Sequence, residues 1–426
     1  MNTKALSLIP VLALATGSLR AAEDANLVRA RRILKKTPII DGHNDLPWVI
    51  RENAKAPMDV GAYDLRSRTA GATDVARLRQ GGVGGQFWSV YIPAEIPGGF
   101  ARTQLEQIDI ARRVIARYPD ALEAAGTADE VKRAMKRGHV ASMLGVEGGH
   151  AIENSLGALR AYYDLGARYM TLTHTTTLDW ADAAGDPPRH GGLTRFGEEV
   201  VREMNRLGML VDLSHVTPET MEDAIRVSEA PVIFSHSGAR ALCDHVRNVP
   251  DDVLRLLPKN GGVVMVTFVA AFVSEEFNQA SAPLWAEMKA RAKEVKDPAE
   301  LQRLYKEMAA KMPRIKVTIA QVADHVDHVR KVAGVDHVGL GGDYDGNEAW
   351  PEGMEDVSGY PRLFAELVRR GWSNRDLAKL AQGNVLRAMA QAEAVARRLQ
   401  KARPASVATI EALDGLGAKP ASPPAP

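Results

Sequence analysis

The chain has 426 residues, 45% of them hydrophobic and 25% charged, which excludes a disordered or fibrous protein and fits either two or three domains of about 150 residues or one large α/β barrel. Its 54 basic and 53 acidic side chains nearly cancel, and this balance indicates neither nucleic acid nor an anionic membrane surface as a partner. The single cysteine, Cys243, excludes an intramolecular disulfide framework and a thiolate zinc site, so any metal must be held by histidines and carboxylates.

The two ends of the chain differ in composition from the rest. Lys4 precedes an apolar run of about 15 residues, which is too short to span a bilayer comfortably and has the length of a signal-peptide core. We therefore predict a signal peptide over residues 1–22, with a buried N-terminal helix as the alternative. Residues 401–426 are rich in Ala and Pro, contain no hydrophobic run for a lipid anchor, and predict a mobile tail. We expect a periplasmic or secreted protein without a membrane anchor, with residues 23–400 as its folded domain.

Between these ends, short β-rich runs alternate with amphipathic helical stretches. Most of the runs are uninterrupted stretches of apolar residues, as expected for strands of a parallel sheet that is covered on both faces. They are residues 38–41, 85–91, 140–146, 169–173, 209–214, 232–235, 263–269 and 337–342. Eight β/α units predict a (β/α)8 TIM barrel. A doubly wound open sheet is the alternative, but it requires a glycine-rich phosphate turn after the first strand, where this sequence reads DGHND.

Capping signals locate two of the helices. Thr194 fits an N-cap before an apolar stripe of helical period, which Gly208 ends. Thr217 and Pro218 fit the N-cap and the first turn of the next helix. Residues 274–317 form a charged insertion between the seventh and eighth predicted strands. We expect this insertion to be helical and to shape or cover the mouth of the barrel.

Polar side chains follow most of the predicted strands directly, at the end where a (β/α)8 barrel carries its chemistry. Four of them are histidines, out of 11 in the chain, and three are carboxylates. Burying such groups without partners would cost several kcal/mol each, so a common purpose is expected. The residues are His43, Asp45, Glu147, His174, His215, His236 and Asp343.

A metal site explains this set most economically. His43 and Asp45 alternate along an extended segment and therefore point to the same side, and His215 and His236 form a second pair. With Glu147 shared, three nitrogen and two carboxylate ligands suit two zinc ions roughly 3.5–4 Å apart. A water that bridges two zinc ions becomes hydroxide near neutral pH, so the protein needs no serine or cysteine nucleophile.

Seven segments over about residues 35–395 resemble, in order and spacing, the renal (membrane) dipeptidase family of binuclear zinc peptidases. They are DGHNDLPW, GVEGGH, LTHTTTLDWADAA, VDLSHV, FSHSGARAL, VRNVPDDVL and HVGLGGDYDG. The resemblance implies a (β/α)8 barrel with two zinc ions that hydrolyses dipeptides, including those with a C-terminal D-residue; some members also open β-lactams. The lone cysteine and the polar C-terminus differ from the mammalian members and indicate a soluble bacterial-type member.

The resemblance also implies a ligand set. His43 and Asp45 match the ligands of one zinc, and His215 and His236 match those of the other. Glu147 matches the carboxylate that bridges the two ions.

Three further residues match positions that act on the substrate in this family. His174 matches the histidine that contacts the substrate and stabilises the tetrahedral oxyanion. Arg247 matches the arginine that binds the C-terminal carboxylate of the dipeptide. Asp343 matches the aspartate that orients the amino end and shuttles a proton to the leaving amine. Asp345 stays open as the alternative for that role, because the short turn lets only one of the two side chains point inward.

Two other functions stay open at this stage. One is a binuclear-zinc amidohydrolase that acts on another amide or a lactone, such as a β-lactam. The other is an exported, non-catalytic protein that binds peptides or zinc. Because members of the family are commonly dimers, a homodimer is a further expectation.

Overall fold

The structure, a computed structural model, describes residues 24–94, 96, 99–292, 294–295 and 298–415. The predicted signal peptide over 1–22 lies outside the described residues, and so does the end of the predicted tail from 416 onward. Within the described part of the chain, no helix is both long enough and apolar enough to cross a membrane.

The strands pair in parallel and close into a barrel. In the closed ring β1 pairs with β2, β2 with β4, and the strands then follow chain order to β9, which pairs with β1 again. β3 pairs only with residues 140–142 of β4 and lies outside the ring. The strands are β1 (Ile39–Asn44), β2 (Val83–Ser89), β3 (Leu122–Ala124), β4 (Val140–Glu147), β5 (Ala167–Thr171), β6 (Leu210–Asp212), β7 (Ile233–Ser237), β8 (Val263–Val266) and β9 (Val338–Leu340). The predicted TIM barrel is confirmed; only the outer strand β3 was missed, because its three residues, Leu-Glu-Ala, contain no continuous apolar run.

Helices surround this barrel and connect its strands. They are α1 (Ala25–Lys36), α2 (Leu46–Arg51), α3 (Val75–Gly81), α4 (Phe100–Arg117), α5 (Ala128–Arg137), α6 (Leu156–Asp164), α7 (Arg195–Leu207), α8 (Pro218–Val227), α9 (Asp251–Leu254), α10 (Leu257–Asn260), α11 (Ala270–Val273), α12 (Glu275–Ala292), α13 (Pro298–Ala310), α14 (Ile319–Ala333), α15 (Tyr360–Arg369), α16 (Asn374–Ala378), α17 (Asn384–Ala402) and α18 (Ile410–Asp414). Short 3₁₀ turns lie at Gly149–Ile152 and Val335–His337, and a π-helical turn at Lys379–Gly383 joins α16 to α17.

The two capping predictions are confirmed. The Thr194 hydroxyl accepts a hydrogen bond from the backbone of Gly197, and Gly208 ends α7 with a left-handed φ of 84°. The Thr217 hydroxyl caps α8, whose first residue is Pro218. An N-cap of this kind stabilises a helix by about 1 kcal/mol, so these local signals locate the start of each helix.

A buried apolar cluster fills the barrel beneath the polar strand ends. It takes Ile40, Phe87, Met143 and Met265 from four strands and is closed from below by α17, which contributes Met389. Because side chains alternate along a strand, Met143 lies on the same face of β4 as the last residue of that strand. The barrel interior is therefore apolar at its base and polar at its carboxyl end.

The charged insertion forms the helical pair α12 and α13, as predicted. Arg291 of α12 lies 3.0 Å from Glu307 of α13, which holds the two helices together. The Lys289 ammonium on α12 donates a hydrogen bond to the carbonyl of Gly185 and lies 3.7 Å from the carboxylate of Asp186. The insertion thus reaches from the end of β8 to the segment that follows β5, along the carboxyl end of the barrel.

The C-terminal segment corrects part of the tail prediction. α17 continues to Ala402, and after a short extended stretch α18 packs on the barrel with Ile410 buried. The carboxylate of Asp414 accepts hydrogen bonds from the Thr194 hydroxyl at 2.6 Å and from the backbone of Phe196. Residues 401–415 are therefore not a free tail. Their Ala- and Pro-rich composition favours disorder, but the side chains of Ile410 and Asp414 anchor the segment to the barrel.

Candidate metal centre

All the predicted site residues meet at the carboxyl end of the barrel. His43 lies in β1, Glu147 ends β4, and His236 lies in β7. The others stand in the segments that directly follow β1, β5, β6, β7 and β9, in that order: Asp45, His174, His215, Arg247 and Asp343. Parallel strands bring side chains that are far apart in the chain to one rim.

The first group of side chains surrounds the ring of His43. Its Nε2 atom lies 3.2 Å from Oδ2 of Asp45 and 3.3 Å from Oε2 of Glu147. The Oδ1 atom of Asp343 lies 4.0 Å from the same nitrogen. His43 is fully buried and Asp45 is 5% exposed, so solvent does not satisfy these atoms.

The second group meets the other oxygen of Glu147. The Nε2 atom of His215 lies 3.0 Å from Oε1 of Glu147, and that of His236 lies 3.4 Å from it. The two Nε2 atoms are themselves only 3.0 Å apart. Glu147 therefore presents one carboxylate oxygen to each group, which is the arrangement of a shared ligand.

These nitrogen and oxygen atoms are better suited to binding a metal than to contacting one another directly. Within the described residues, the buried atoms His43 Nε2 and Asp45 Oδ1 have no hydrogen-bond partner. As carboxylates, the three acidic side chains around His43 would repel each other and lose hydration unless a cation lies among them. A cation removes both costs, and imidazole nitrogens with carboxylate oxygens are ligands that divalent transition metals prefer.

Local backbone geometry lets these side chains approach one another. Gly148, with φ of 110°, follows Glu147; a Cβ atom there would lie 2.3 Å from the His150 ring and 3.3 Å from Cβ of His174. His215 and Asp343 have left-handed φ values of 73° and 61°. Such conformations cost a non-glycine residue of order 1–3 kcal/mol and persist where the surroundings enforce them, typically at functional sites.

Burial and mutual charge shift the pKa of most groups at the site. Burial, together with the positive charge of Arg247, holds the pKa of His174 and His215 well below its ordinary value. These rings are therefore neutral, the form that binds a metal. Burial raises the pKa of Glu147 and of Asp343, so in the protein without metal both carboxyls hold their protons to higher pH than usual.

Metal binding to the metal-free protein is accordingly expected to release protons, and to release more of them as the pH is lowered. Glu147 and Asp343 have a raised pKa, and a metal would displace the protons they retain. Calorimetric titrations with a divalent metal in buffers of different ionisation enthalpy measure this release directly. The Asp343→Asn variant should release fewer protons than the wild type. A binding heat that does not change with the buffer would contradict the expectation.

The structure decides between the two aspartates that the sequence left open. Asp343 points to the metal cluster, with Oδ1 4.0 Å from His43 Nε2. Asp345 turns the other way, and its Oδ1 atom accepts a hydrogen bond of 2.6 Å from the backbone of Ala72. Of the two aspartates, Asp343 is thus the one whose carboxylate faces the cluster.

His174 and Arg247 stand beside the cluster without belonging to its two groups. Nε2 of His174 lies 3.8 Å from Oε1 of Glu147, and its ring centre lies 4.2 Å from that of His215. The Arg247 guanidinium lies 5.1 Å from the ring centre of Phe272 and makes no ion pair within the described residues. Burial lowers the pKa of Arg247 to about 10, which still leaves it charged at neutral pH. A partly buried cation without a direct counter-ion is a ready site for a carboxylate.

Three side chains that sequence reasoning missed hold the predicted site residues in place. The Tyr169 hydroxyl lies 2.8 Å from Nδ1 of His43, across 126 residues of chain that give no signal of the contact. The Ser89 hydroxyl donates to Oε2 of Glu147 at 3.2 Å. The hydroxyl of Ser235 lies 2.8 Å from Nδ1 of its neighbour His236, and here the repeated Ser-His dipeptide was a visible signal.

A parallel barrel whose carboxyl end gathers histidines and carboxylates around a shared glutamate defines a metal-dependent hydrolase of the (β/α)8 class. The family model of membrane dipeptidases (peptidase family M19) matches residues 27–403. The chain belongs to that family and is a metallo-dipeptidase, a hydrolase that acts on dipeptides. A purely binding, non-catalytic role is therefore set aside.

Individual relatives agree with this assignment. Dipeptidase 3 of Mus musculus is 42% identical over 373 residues, which are 86% of this chain and 67% of that protein. A metallopeptidase from Rhodobacter sphaeroides, solved with a phosphinate mimic of the dipeptide L-Ala-D-Ala, is 25% identical with a TM-score of 0.68 and covers 83% of this chain and 99% of its own. A probable dipeptidase from Pseudomonas aeruginosa, at 24% identity and a TM-score of 0.74 over 87% of this chain and 99% of its own, supports the fold.

Proposed function

We propose that this metallo-dipeptidase uses two zinc ions to hydrolyse dipeptides, including those with a C-terminal D-residue. The observation that carries the proposal is the position of Glu147, whose two carboxylate oxygens face two separate groups of possible metal ligands. One group would hold an ion with His43 and Asp45, and the other with His215 and His236. Bound there, the ions would supply a Lewis acid for the scissile carbonyl and an activated water for its attack.

Arg247 binds the carboxylate of the substrate in this proposal. Its guanidinium is a planar fork that pairs with a carboxylate through two parallel hydrogen bonds. Because Arg247 has no ion pair of its own within the described residues, it gives up no counter-ion when the dipeptide binds. With its carboxylate on Arg247 and its amino end on Asp343, a dipeptide would be held at both charged ends, which favours dipeptides over longer peptides.

His174 and Asp343 act on the reacting atoms. The low pKa of His174, which burial and the charge of Arg247 produce, keeps its ring neutral, and a neutral imidazole donates one hydrogen bond to the oxyanion that forms at the carbonyl. Asp343 accepts the proton of the attacking water and returns it to the leaving amine. It also orients the amino end of the dipeptide.

A D-residue at the C-terminal position is supported by the relative from Rhodobacter sphaeroides, which holds a mimic of L-Ala-D-Ala. The proposal is tested by hydrolysis of L-Ala-D-Ala, L-Ala-L-Ala and L-Ala-L-Ala-L-Ala, together with metal analysis of the same preparation. We expect two zinc ions per chain, cleavage of both dipeptides and little cleavage of the tripeptide. Cleavage of a carbapenem with no cleavage of any dipeptide would overturn the proposal in favour of another amide substrate.

The variant Arg247→Ala is expected to raise KM for a dipeptide by roughly 10- to 100-fold with a smaller change in kcat. Hydrogen bonds to charged groups contribute about 1.5–3 kcal/mol, and binding lost equally in ground and transition states appears in KM. Steady-state kinetics measure both constants. A dipeptide amide, which lacks the carboxylate, should show no further loss in the variant, and exposed Arg255→Ala should behave as the wild type. An unchanged KM for Arg247→Ala would remove this residue from the binding site.

We further propose that the protein is exported to the periplasm or beyond, on the basis of the basic start and apolar run at the N-terminus. Fractionation of cells that express the full chain tests this, and recovery in the cytoplasmic fraction at full length would contradict it. A homodimer stays a prediction, which sedimentation of the purified protein would decide.

A further inference from the structure

A buried chain of polar groups runs from His236 away from the metal cluster. Nδ1 of His236 lies 2.8 Å from the hydroxyl of Ser235, and that hydroxyl lies 2.6 Å from Oδ2 of Asp212 at the end of β6. Asp212 and Ser235 are fully buried and His236 is 1% exposed. Water therefore does not compete for these contacts.

The positions of the protons on His236 and Ser235 follow from the orientation of the His236 ring. Its Nε2 atom points to His215 and Glu147, so Nε2 is the nitrogen available to a metal. A ring that uses Nε2 as a ligand carries its proton on Nδ1, which then donates to the Ser235 hydroxyl. The hydroxyl has one hydrogen and, having accepted from the ring, donates it to Asp212.

Asp212 is held as an acceptor from both sides. Its Oδ1 atom accepts from the backbone of Ser235 at 2.8 Å and of Ser214 at 3.1 Å. Its Oδ2 atom accepts from the hydroxyls of Ser235 and Thr171, both at 2.6 Å. The Asp212 carboxylate thus accepts four hydrogen bonds, and none of these four donors is a cation. The four donors stabilise a negative charge on Asp212, the last group in the series that begins at His236.

Among the described residues, no carboxylate stands behind Nδ1 of His43, the histidine of the other half of the metal site. Nδ1 of His43 lies 2.8 Å from the hydroxyl of Tyr169, which donates in turn to the carbonyl of Gly42 at 3.2 Å. The hydrogen-bond partner of His43 is thus the phenol of Tyr169, which itself donates to a neutral backbone carbonyl. The two halves differ in the basicity that their outer partners give the ligand histidine.

We propose that Asp212 and Ser235 are positioning residues that set the metal affinity of one half of the site, the half that contains His215 and His236. This inference rests on the proposed binding of two ions. Asp212 acts on His236 through the hydrogen bonds of the Ser235 hydroxyl. It orients the His236 ring and makes its Nε2 atom a stronger ligand for the metal. Outer partners of ligand histidines are commonly worth 10- to 100-fold in metal affinity.

The test is a titration of metal-free protein with zinc against a chromophoric chelator, in which the two ions are followed as separate binding steps. We expect Asp212→Asn and Ser235→Ala each to weaken one step by about tenfold and to leave the other step unchanged. The double variant should be no weaker than Asp212→Asn, because both changes break the same path. Ser235→Ala keeps the backbone bonds of Asp212 and so preserves the local fold.

Thr171→Val is the matched control. It removes a hydrogen bond to the same Oδ2 atom of Asp212 but leaves the path to His236 intact, so both binding steps should match the wild type. If Ser235→Ala binds both ions as the wild type does, or if Thr171→Val weakens a step as much as Ser235→Ala, the inference is overturned. Failure of the proposed function itself is seen separately, as a wild-type protein that binds fewer than two ions or cleaves no dipeptide.

Discussion

Replacing Glu147 with Gln is expected to disable both halves of the metal site at once and to lower kcat/KM by about 10³-fold or more. Each oxygen of this carboxylate faces one group of possible metal ligands, so the neutral amide removes a charged ligand from both groups. Metal ions contribute several kcal/mol of transition-state stabilisation in hydrolases of this kind, and each 1.36 kcal/mol is tenfold in rate. Metal analysis after gel filtration, together with kinetics at saturating zinc, measures both effects.

A buried glutamate elsewhere provides the matched control for this variant. Glu203 on α7 is 2% exposed and pairs with Arg206 of the same helix and Arg160 of α6, neither of which belongs to the metal cluster. Glu203→Gln should lower thermal stability but leave the metal content and kcat/KM close to those of the wild type. A Glu147→Gln protein that keeps two ions and its activity would show that this carboxylate is not a shared ligand.

The second large effect is expected for Asp343→Asn, which should lower kcat by about 10²- to 10⁴-fold while the protein keeps its metal. General acid–base groups contribute on this scale, and an amide neither accepts the proton of the attacking water nor returns it to the amine. The substitution should also remove the limb of the pH–rate profile that reports this carboxyl. Kinetics over a range of pH with parallel metal analysis distinguish the loss of proton transfer from the loss of metal.

The neighbouring aspartate makes this prediction specific. Asp345 stands in the same turn with a similar left-handed φ of 64°, but its carboxylate binds the backbone of Ala72. Asp345→Asn should therefore loosen the segment around Ala72 with a much smaller effect on kcat than Asp343→Asn. Equal losses for the two variants would count against a direct role of Asp343 in the chemistry.

The barrel was predictable because its signals are local. Each strand of the ring appears in the sequence as an apolar run. The N-cap residues Thr194 and Thr217 mark where α7 and α8 begin. The rule that parallel strands end at one rim then converts chain order into spatial proximity. Strand order alone therefore predicts that His43, Glu147 and His236 lie together.

Contacts between distant segments were not predictable. The pairing of Tyr169 with His43 depends on how β5 faces β1 across the barrel, and nothing near either residue in the chain reports it. The docking of Asp414 on Thr194 joins positions 220 residues apart and reverses the expectation of a free tail. Single side-chain contacts of this kind leave no periodic pattern in composition or spacing.

The amino-acid sequence by itself determined the class of barrel, the rim that carries the chemistry and the side chains that gather there, since these follow from hydrophobic period, capping residues and strand order. Only the tertiary structure decided which aspartate of the β9 turn faces the cluster, because two left-handed residues in a short turn, Asp343 and Asp345, send their side chains in opposite directions. It also decided what stands behind each histidine. The direction of a side chain and the identity of its outer partner depend on packing between elements, which no local pattern encodes.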